Sequence, residues 1–276
     1  MRLYTVRTCG AEVVAAEGSD KKLYPLKNKV RGMNELITSG LKQDDIVLES
    51  TALPEESFLV IAPVPVPMQD VVCIAKNYYV PGEERGKSRE EAVYFSKRVS
   101  SANFHGGVIP DYSIAKTLDY ETELGVILSR DVKGVSISEA NDSIFGYTII
   151  NDLSDRELQK SHKQWYFSKS MDGYTSMGPC IVTADEFGSP GNKQIRTYVN
   201  GELRQDGNTC DMIRSAGEMI SELSQYITLR AGTVIATGTP FGSGKDMSPP
   251  VYLRSGDTVV GIIEGIGELR NMVGKC

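Results

Sequence analysis

Short runs of β-branched and other apolar residues recur along the chain and alternate with Gly, Pro and Asn turns. Runs of about four to eight such residues, bounded by turn residues, are typical of strands. The pattern predicts strands at residues 2–6, 12–16, 46–48, 58–62, 71–75, 123–128, 144–150, 180–183, 194–199, 233–237, 251–253 and 258–263. The dipeptide Asn200-Gly201 predicts a hairpin turn. These features indicate a mostly β core.

One stretch, residues 211–229, has helical rather than strand periodicity. Its apolar positions are three or four residues apart: Met212, Ile213, Ala216, Met219, Ile220, Leu223, Tyr226 and Ile227. This spacing predicts an amphipathic helix whose apolar face packs in the core. The fold class is therefore α+β with β dominant.

The segment Pro63-Val64-Pro65-Val66-Pro67 interrupts the strand pattern. Three prolines fix three φ angles and remove three backbone donors, so the segment is not a central strand. We predict a domain boundary there, with a small strand-rich N-terminal domain at residues 1–67 and the main domain at 68–276.

Composition narrows the class of protein. The 276 residues are 40% hydrophobic and 24% charged, which is typical of a globular chain, and the net charge of -6 does not attract nucleic acid. We find neither a signal-peptide pattern nor an apolar run of the roughly 18 residues that a membrane span needs. We therefore expect a cytoplasmic protein with no nucleic-acid or membrane partner.

Several common types of site are disfavoured because the sequence lacks their motifs. The five cysteines include no C-x-x-C pair, which argues against both a zinc site and a disulfide framework. With two histidines and no G-x-S-x-G elbow, a serine hydrolase is disfavoured. The glycine-rich segment 238–246 has the wrong spacing for a phosphate-binding P-loop, and Asp246 stands where that motif needs Ser or Thr.

The acidic residues are more informative. Glu121 and Glu123 are two positions apart at the start of an apolar run, so strand alternation directs both side chains to one face. Asp152 follows a second apolar run. Carboxylates held this close repel each other unless a cation lies between them, and hard oxygen ligands suit Mg²⁺ or Mn²⁺. The spacing alone is also compatible with a solvated face, and Asp119, one step along the same face, is an equally plausible ligand.

Beyond these features, ordered motifs extend from Val71 to the C-terminus. They include Asn77-Tyr78, Tyr94-Phe95-Ser96-Lys97, Asp119-Tyr120-Glu121-Thr122-Glu123-Leu124, Asn151-Asp152, Arg156-Glu157-Leu158-Gln159, Gln164-Trp165, Lys169-Ser170, Gly178-Pro179 and Thr237-Gly238-Thr239-Pro240-Phe241-Gly242. In these motifs the chain resembles the fumarylacetoacetate hydrolase family. The resemblance implies a β-roll of mixed sheets, a small N-terminal domain, a homodimer and one Mg²⁺ or Mn²⁺ per active site.

Site residues also follow from the resemblance. It implies metal ligands at Glu121, Glu123 and Asp152, the set that the charge argument also reached. It further implies a catalytic lysine at Lys169 and substrate contacts from the matched motifs, at Asn77, Tyr78, Lys97, Arg156, Gln159 and Thr239. The implied substrate is a small 2-oxo or dioxo carboxylate, with the metal acting as a Lewis acid.

The chain departs from the family where hydrolytic members activate water. Those members follow the Asn-Tyr pair with a histidine and, three residues later, a glutamate; here Pro81 takes the histidine position and Glu84 remains. We consider Glu84 or Glu83 alone, or His105 from another loop, as the base. The charged segment 83–88 fits either a lid or an ordinary exposed loop, and we expect His162 to be solvated.

Three functions therefore remain open. The first is hydrolysis of a carbon–carbon bond in an acylpyruvate-type substrate, which needs a water base. The second is decarboxylation, isomerisation or dehydration of a 2-oxo or 2-hydroxymuconate-type acid through an enolate, which needs only the metal and a proton carrier. The third is a non-catalytic metal-binding paralogue, which the retained ligands and Lys169 disfavour.

Overall fold

The structure is a computed structural model that describes residues 1–82 and 91–275. Within these residues ten strands form one large sheet: β1 (Arg2–Thr8), β2 (Ala11–Glu17), β3 (Leu23–Pro25), β4 (Leu59–Ile61), β5 (Val71–Ala75), β6 (Val93–Lys97), β9 (Thr122–Leu128), β10 (Ile144–Asp152), β12 (Thr175–Thr183) and β15 (Val234–Ala236). A second sheet contains β7 (Val108–Pro110), β13 (Gln194–Val199), β14 (Glu202–Asn208), β16 (Thr258–Ile263) and β17 (Gly267–Gly274). A small pair is formed by β8 (Leu118–Asp119) and β11 (Ser154–Asp155).

Both larger sheets are mixed. The large sheet runs in the order β3-β2-β1-β12-β10-β9-β15-β5-β6, with β4 paired to β1, and its β15–β5 pair is parallel. The second sheet runs β14-β13-β16-β17-β7, and its β17–β7 pair is parallel. Every residue of β9 is buried, as is every residue of β10 except Phe145, which explains why both strands read as nearly continuous apolar runs.

In the part of the chain that the structure describes, six short α-helices connect or cover these strands: α1 (Met33–Thr38), α2 (Ile137–Asn141), α3 (Arg156–Ser161), α4 (Tyr166–Lys169), α5 (Ala184–Phe187) and α6 (Ala216–Ser224). Side-chain caps fix two starts that matter below. The Asp155 carboxylate accepts the Leu158 backbone N–H at the start of α3, and Ser215 forms a capping box with Glu218 at the start of α6.

Three sequence predictions are corrected by the structure. Residues 46–48 form no strand, because the only β contact there is an isolated bridge between Leu26 and Leu48. Residues 251–253 are also not a strand; Pro249 and Pro250 just before them lack the donors that a ladder needs. The predicted helix 211–229 is shorter, because the Ser215 cap starts α6 at Ala216 and the helix ends at Ser224.

The N-terminal strands continue the large sheet. Strand β1 pairs with β12, with Arg2 opposite Val182 and Leu3 opposite Ile181. Helix α1 buries Met33, Leu36 and Ile37 in an apolar cluster that also contains residues of the main part of the chain. The two parts of the chain therefore share one sheet. The predicted domain division after residue 67 stays a prediction.

Candidate metal centre and cavity

The three predicted metal ligands lie together. Carboxylate oxygens of Glu121, Glu123 and Asp152 are all within 4.8 Å of one another, and all three residues are buried. Strands β9 and β10 pair antiparallel with Ile150 opposite Glu123, so the end of β10 carries Asp152 beside the start of β9. Glu121 directly precedes β9, and its carbonyl accepts the Asp152 N–H at 2.8 Å.

Asp119, the alternative ligand, is not part of this cluster. Its carboxylate instead accepts the Arg156 Nε at 2.8 Å and the backbone N–H groups of Gly244 at 2.7 Å and Lys245 at 3.2 Å. Asp119 therefore fixes the Arg156 guanidinium and the loop at 244–246 rather than contributing an oxygen to the cluster.

Buried cations compensate the carboxylates. Lys169 Nζ lies 2.7 Å from Glu121 Oε2 and 2.5 Å from Asp152 Oδ2, and it also donates to Ser154 Oγ at 2.7 Å. Arg156 bridges two carboxylates: its Nη2 lies 2.7 Å from Glu121 Oε1, and its Nε binds Asp119 Oδ2. Charge-assisted bonds of this length fix both partners, so Lys169 and Arg156 hold the carboxylates in one arrangement.

A third cation, Lys97, contacts the cluster from the protein interior. Its side chain is fully buried, and Nζ donates to Asp152 Oδ1 at 2.5 Å and to the carbonyls of Tyr174 and Leu153 at 2.5 and 3.2 Å. Burial lowers the pKa of Lys97, although the Asp152 charge opposes that change. Lys97 does not line the cavity described below, so we assign it to positioning Asp152 in this chain.

The two glutamates have opposite electrostatic environments. Burial alone would raise the pKa of Glu121, but the charges of Arg156 and Lys169 outweigh it and hold that pKa well below its usual range. Burial, together with repulsion from Asp152 and Glu121, raises the pKa of Glu123 well above its usual range. In the described residues, Glu123 accepts one hydrogen bond, from the Gly238 N–H at 2.7 Å.

These features fit a divalent cation. With all four carboxylates ionised, counting Asp119, the site would exceed its three buried or nearly buried cations by one negative charge. A cation between the oxygens would remove the repulsion that acts on Glu123. The buried Tyr78 hydroxyl nearby has no hydrogen-bond partner in residues 1–82 and 91–275, so a ligand or water could satisfy it.

The cluster lies in a cavity of about 1210 Å³, which Glu121, Glu123 and Asp152 all line. Phe95 and Trp165 form part of its wall, with ring centroids 5.1 Å apart in an edge-to-face arrangement. Lys169 Nζ lies 5.0 Å from the centre of the Phe95 ring. The cavity therefore combines a charged floor with an aromatic wall, as small-molecule sites commonly do.

Four of the predicted substrate-contact residues also line the cavity: Tyr78, Arg156, Gln159 and Thr239. Gln159 accepts an Arg156 hydrogen bond at 3.1 Å, and the Thr239 hydroxyl donates to the Thr122 carbonyl at 2.8 Å. Asn77 is placed differently. Asn77 does not line the cavity. Its amide nitrogen donates to the carbonyls of Arg214 and Thr237, and its amide oxygen accepts the Arg214 N–H, so in this chain it connects two loops.

The predicted base residues are not assembled at the cluster. His105 does not line the cavity; its Nδ1 lies 3.1 Å from the Glu268 carbonyl and accepts the Arg270 N–H of β17. His162 is exposed, as predicted. Glu84 and the suggested lid at 83–88 fall within residues 83–90, outside the described residues.

Sequence reasoning missed Ser154 and the role of Asp119. Ser154 donates to Glu121 Oε2 at 3.2 Å and receives the Lys169 bond. Its position two residues after Asp152 would have placed it on the same face of an extended chain. The Arg156–Asp119 pair had no local signal, because 37 residues separate the partners.

Known proteins resemble this chain along its length. A family model described as fumarylacetoacetate hydrolase C-terminal matches residues 70–274. The oxaloacetate tautomerase YisK of Bacillus subtilis is 37% identical over 283 residues, covering 95% of this chain and 93% of that protein.

Solved structures share the fold. A fumarylacetoacetate hydrolase from psychrophilic Exiguobacterium antarcticum has a TM-score of 0.90 at 33% identity, covering 100% of both chains. A 2-hydroxyhepta-2,4-diene-1,7-dioate isomerase from Mycobacterium marinum has a TM-score of 0.79 at 29% identity, covering 100% of this chain and 98% of that one. The expected mostly β fold of mixed sheets is confirmed.

Proposed function

The chain belongs to the fumarylacetoacetate hydrolase family, and from this premise we propose that it is a divalent-metal-dependent enzyme that interconverts the keto and enol forms of a small 2-oxo dicarboxylate. One observation carries the proposal. The cavity has a fixed floor of three carboxylates with Lys169, and in the described residues no histidine lines it. Such a site suits stabilisation of an enolate better than activation of water.

The reaction needs a proton to leave the carbon beside the 2-oxo group while negative charge develops on the 2-oxo oxygen. A Mg²⁺ or Mn²⁺ held by Glu121, Glu123 and Asp152 would supply Lewis-acid stabilisation of that charge. Lys169 places a second positive charge at the same floor, and its bonds of 2.5 to 2.7 Å keep its ammonium group oriented.

The other cavity residues would orient the substrate. Arg156, fixed from behind by Asp119, presents its guanidinium beside Glu121, and Gln159 extends from the same helix. Thr239 also lines the cavity, and its hydroxyl is held by a hydrogen bond to the Thr122 carbonyl. Glu84, outside the described residues, remains our candidate for the group that moves the proton.

Hydrolysis of a carbon–carbon bond in an acylpyruvate is the second candidate. The similarity to the Exiguobacterium antarcticum fumarylacetoacetate hydrolase favours it. Against it stand Pro81 at the histidine position and the absence of His105 from the cavity lining. From the family resemblance we also propose a homodimer, and from the lack of a targeting pattern in the sequence we propose that it acts in the cytoplasm. None of the described helices is long and apolar enough to cross a membrane.

The test compares substrates with and without metal. We would incubate the purified protein with oxaloacetate, acetylpyruvate and fumarylpyruvate, each with Mg²⁺ or EDTA, following enol absorbance and identifying products by mass. The proposal predicts faster metal-dependent keto–enol exchange of oxaloacetate than Mg²⁺ alone gives, with unchanged mass. Cleavage of the acylpyruvates alone would support hydrolysis instead, and no protein-dependent change in any substrate would reject both candidates.

A further inference from the structure

Most basic side chains that line the cavity already form ion pairs with acidic residues. Six line it in the described residues, and four of these have acidic partners: Arg156, Lys169, Lys245 and Arg214. The first two hold the floor. Lys245 Nζ lies 2.6 Å from Asp246 Oδ1, and Arg214 Nε lies 3.4 Å from Glu222 Oε2. A ligand would have to displace an acidic partner to use any of these four fully.

Lys76 and Lys160 are the remaining two. Both are exposed side chains that line the cavity, and neither makes a hydrogen bond or ion pair in residues 1–82 and 91–275. Among residues 1–82 and 91–275, Glu91 is the one cavity carboxylate without such a partner, so the unpaired charge that these residues contribute is positive by two to one. An exposed ammonium group with no acidic partner has all its donors available for the carboxylate of a ligand.

Lys160 is positioned by α3. It lies four residues after Arg156 and one after Gln159, which places all three on one side of the helix, and all three line the cavity. Four residues correspond to about 6 Å along a helix axis. Lys160 is therefore about one helical turn from Arg156, the guanidinium residue that binds Glu121, and lines the same cavity.

Lys76 is positioned by the turn that follows β5. Its φ of 52° lies in the left-handed region, which non-glycine residues seldom adopt, so the chain bends sharply there. The next residue is held against the opposite loop: a Cβ at Gly238 would lie 3.0 Å from the Asn77 Cβ. Since Asn77 also binds the Thr237 carbonyl, the turn that carries Lys76 is fixed to the loop that carries Thr239.

We propose that Lys76 and Lys160 form a subsite for the second carboxylate of the substrate, the one remote from the 2-oxo group. The inference rests on the proposed function and deepens it, because it explains why a dicarboxylate would be selected over a 2-oxo acid with one carboxylate. The floor takes the 2-oxo carboxylate end, and the two uncommitted ammonium groups then face the negative charge that remains.

Binding of two matched ligands tests the subsite without turnover. Malate and lactate share a 2-hydroxy carboxylate and differ in the second carboxylate. We would measure both by isothermal titration calorimetry with Mg²⁺ for the wild type, Lys76→Met, Lys160→Met and the double variant. The control is Lys133→Met, an exposed lysine that does not line the cavity.

The subsite predicts that the wild type binds malate more tightly than lactate. Each single substitution should weaken malate binding by about three- to fivefold, the upper part of the range for an exposed ion pair, and lactate binding by less than about twofold. The control should leave both unchanged. Equal losses for the two ligands, unchanged malate binding in the double variant, or no preference for malate in the wild type would each overturn the inference.

The outcome is separable from that of the proposed function. If malate preference is lost in Lys76→Met and Lys160→Met while oxaloacetate is not turned over, the subsite stands and the proposed reaction fails. If oxaloacetate turns over but malate preference survives both substitutions, the reaction stands and the subsite fails. Failure of the wild type to bind malate at all would count against the subsite.

Discussion

The floor of the cavity and its rim differ in how their charges are satisfied. The floor comprises Glu121, Glu123 and Asp152 with the cations Arg156 and Lys169, which all line the cavity, and Lys97, which contacts Asp152 from the interior; all but Arg156 are buried. The rim comprises Lys76, Glu91 and Lys160, which are exposed and without polar partners in the described residues. The floor is thus built to hold one arrangement, whereas the rim is free to respond to a ligand.

The difference follows from the energetics of burial. An ionised group taken out of water without a partner costs several kcal/mol, so Glu121 and Asp152 are paired with buried or nearly buried cations, and the pKa of Glu123, which has no ion pair in the described residues, is raised. A rim charge stays hydrated, and it contributes little to stability. We therefore expect floor substitutions to affect the metal, the chemistry and folding, and rim substitutions to affect the choice of substrate.

The largest effect is expected at Glu123. Glu123→Gln removes one proposed metal ligand and should lower kcat/KM by at least about 10³-fold, because a catalytic metal contributes several kcal/mol. In metal-free protein the same change relieves repulsion, so its Tm should be equal to or above that of the wild type. Activity assays and thermal unfolding in EDTA check the two parts. Glu157→Gln, an exposed carboxylate on α3 outside the cavity lining, is the control.

The next effect concerns stability. Lys97→Met would leave Asp152 with one of its two lysine partners and should reduce the free energy of unfolding by about 3 kcal/mol, in the range for breaking a buried ion pair. Urea unfolding in EDTA measures the change. Lys133→Met should shift stability by no more than about 0.5 kcal/mol. A loss below about 1 kcal/mol in Lys97→Met would contradict the described role of the floor.

A smaller effect is expected behind Arg156. Asp119→Asn weakens the contact that orients the guanidinium and should reduce kcat/KM about 10- to 100-fold, the usual range for groups that support a metal site. Mn²⁺ binding should persist, because Asp119 is not among the clustered oxygens. Loss of Mn²⁺ binding in this variant would instead support Asp119 as a ligand.

Changing the ionic strength should distinguish the contribution of the exposed rim charges from that of the buried floor charges without any mutation. Salt screens exposed charges and affects buried ones much less, so KM for a dicarboxylate should rise about two- to threefold between low and physiological salt. The kcat should change little. Steady-state kinetics in NaCl test this, with a monocarboxylate 2-oxo acid as the comparison, and a salt effect confined to kcat would contradict it.

The smallest effect is expected at His105, which belongs to neither region. Since it contacts β17 and not the cavity, His105→Ala should change kcat/KM by less than about threefold. A loss of 10²-fold or more, the contribution typical of a general base, would return His105 to the mechanism.

The floor was more predictable from the sequence than the rim. The Glu-x-Glu spacing and Asp152 after an apolar run suggested three groups that do lie together, because strand alternation and pairing are regular, and the family resemblance then selected them over Asp119. Lys76 and Lys160 carry no such pattern; their common feature is the lack of a partner, which only the folded chain reveals. The wrong strand prediction at residues 251–253 has a different cause, because Pro249 and Pro250 just before the apolar run already disfavour a strand there.

The most direct test of this account is the location of a metal ion. We would soak crystals in Mn²⁺ and collect anomalous diffraction data above and below the Mn absorption edge. The account predicts one strong anomalous peak within bonding distance of oxygens from Glu121, Glu123 and Asp152, absent in Glu123→Gln crystals. No peak at these carboxylates, or a peak held by other residues, would contradict it.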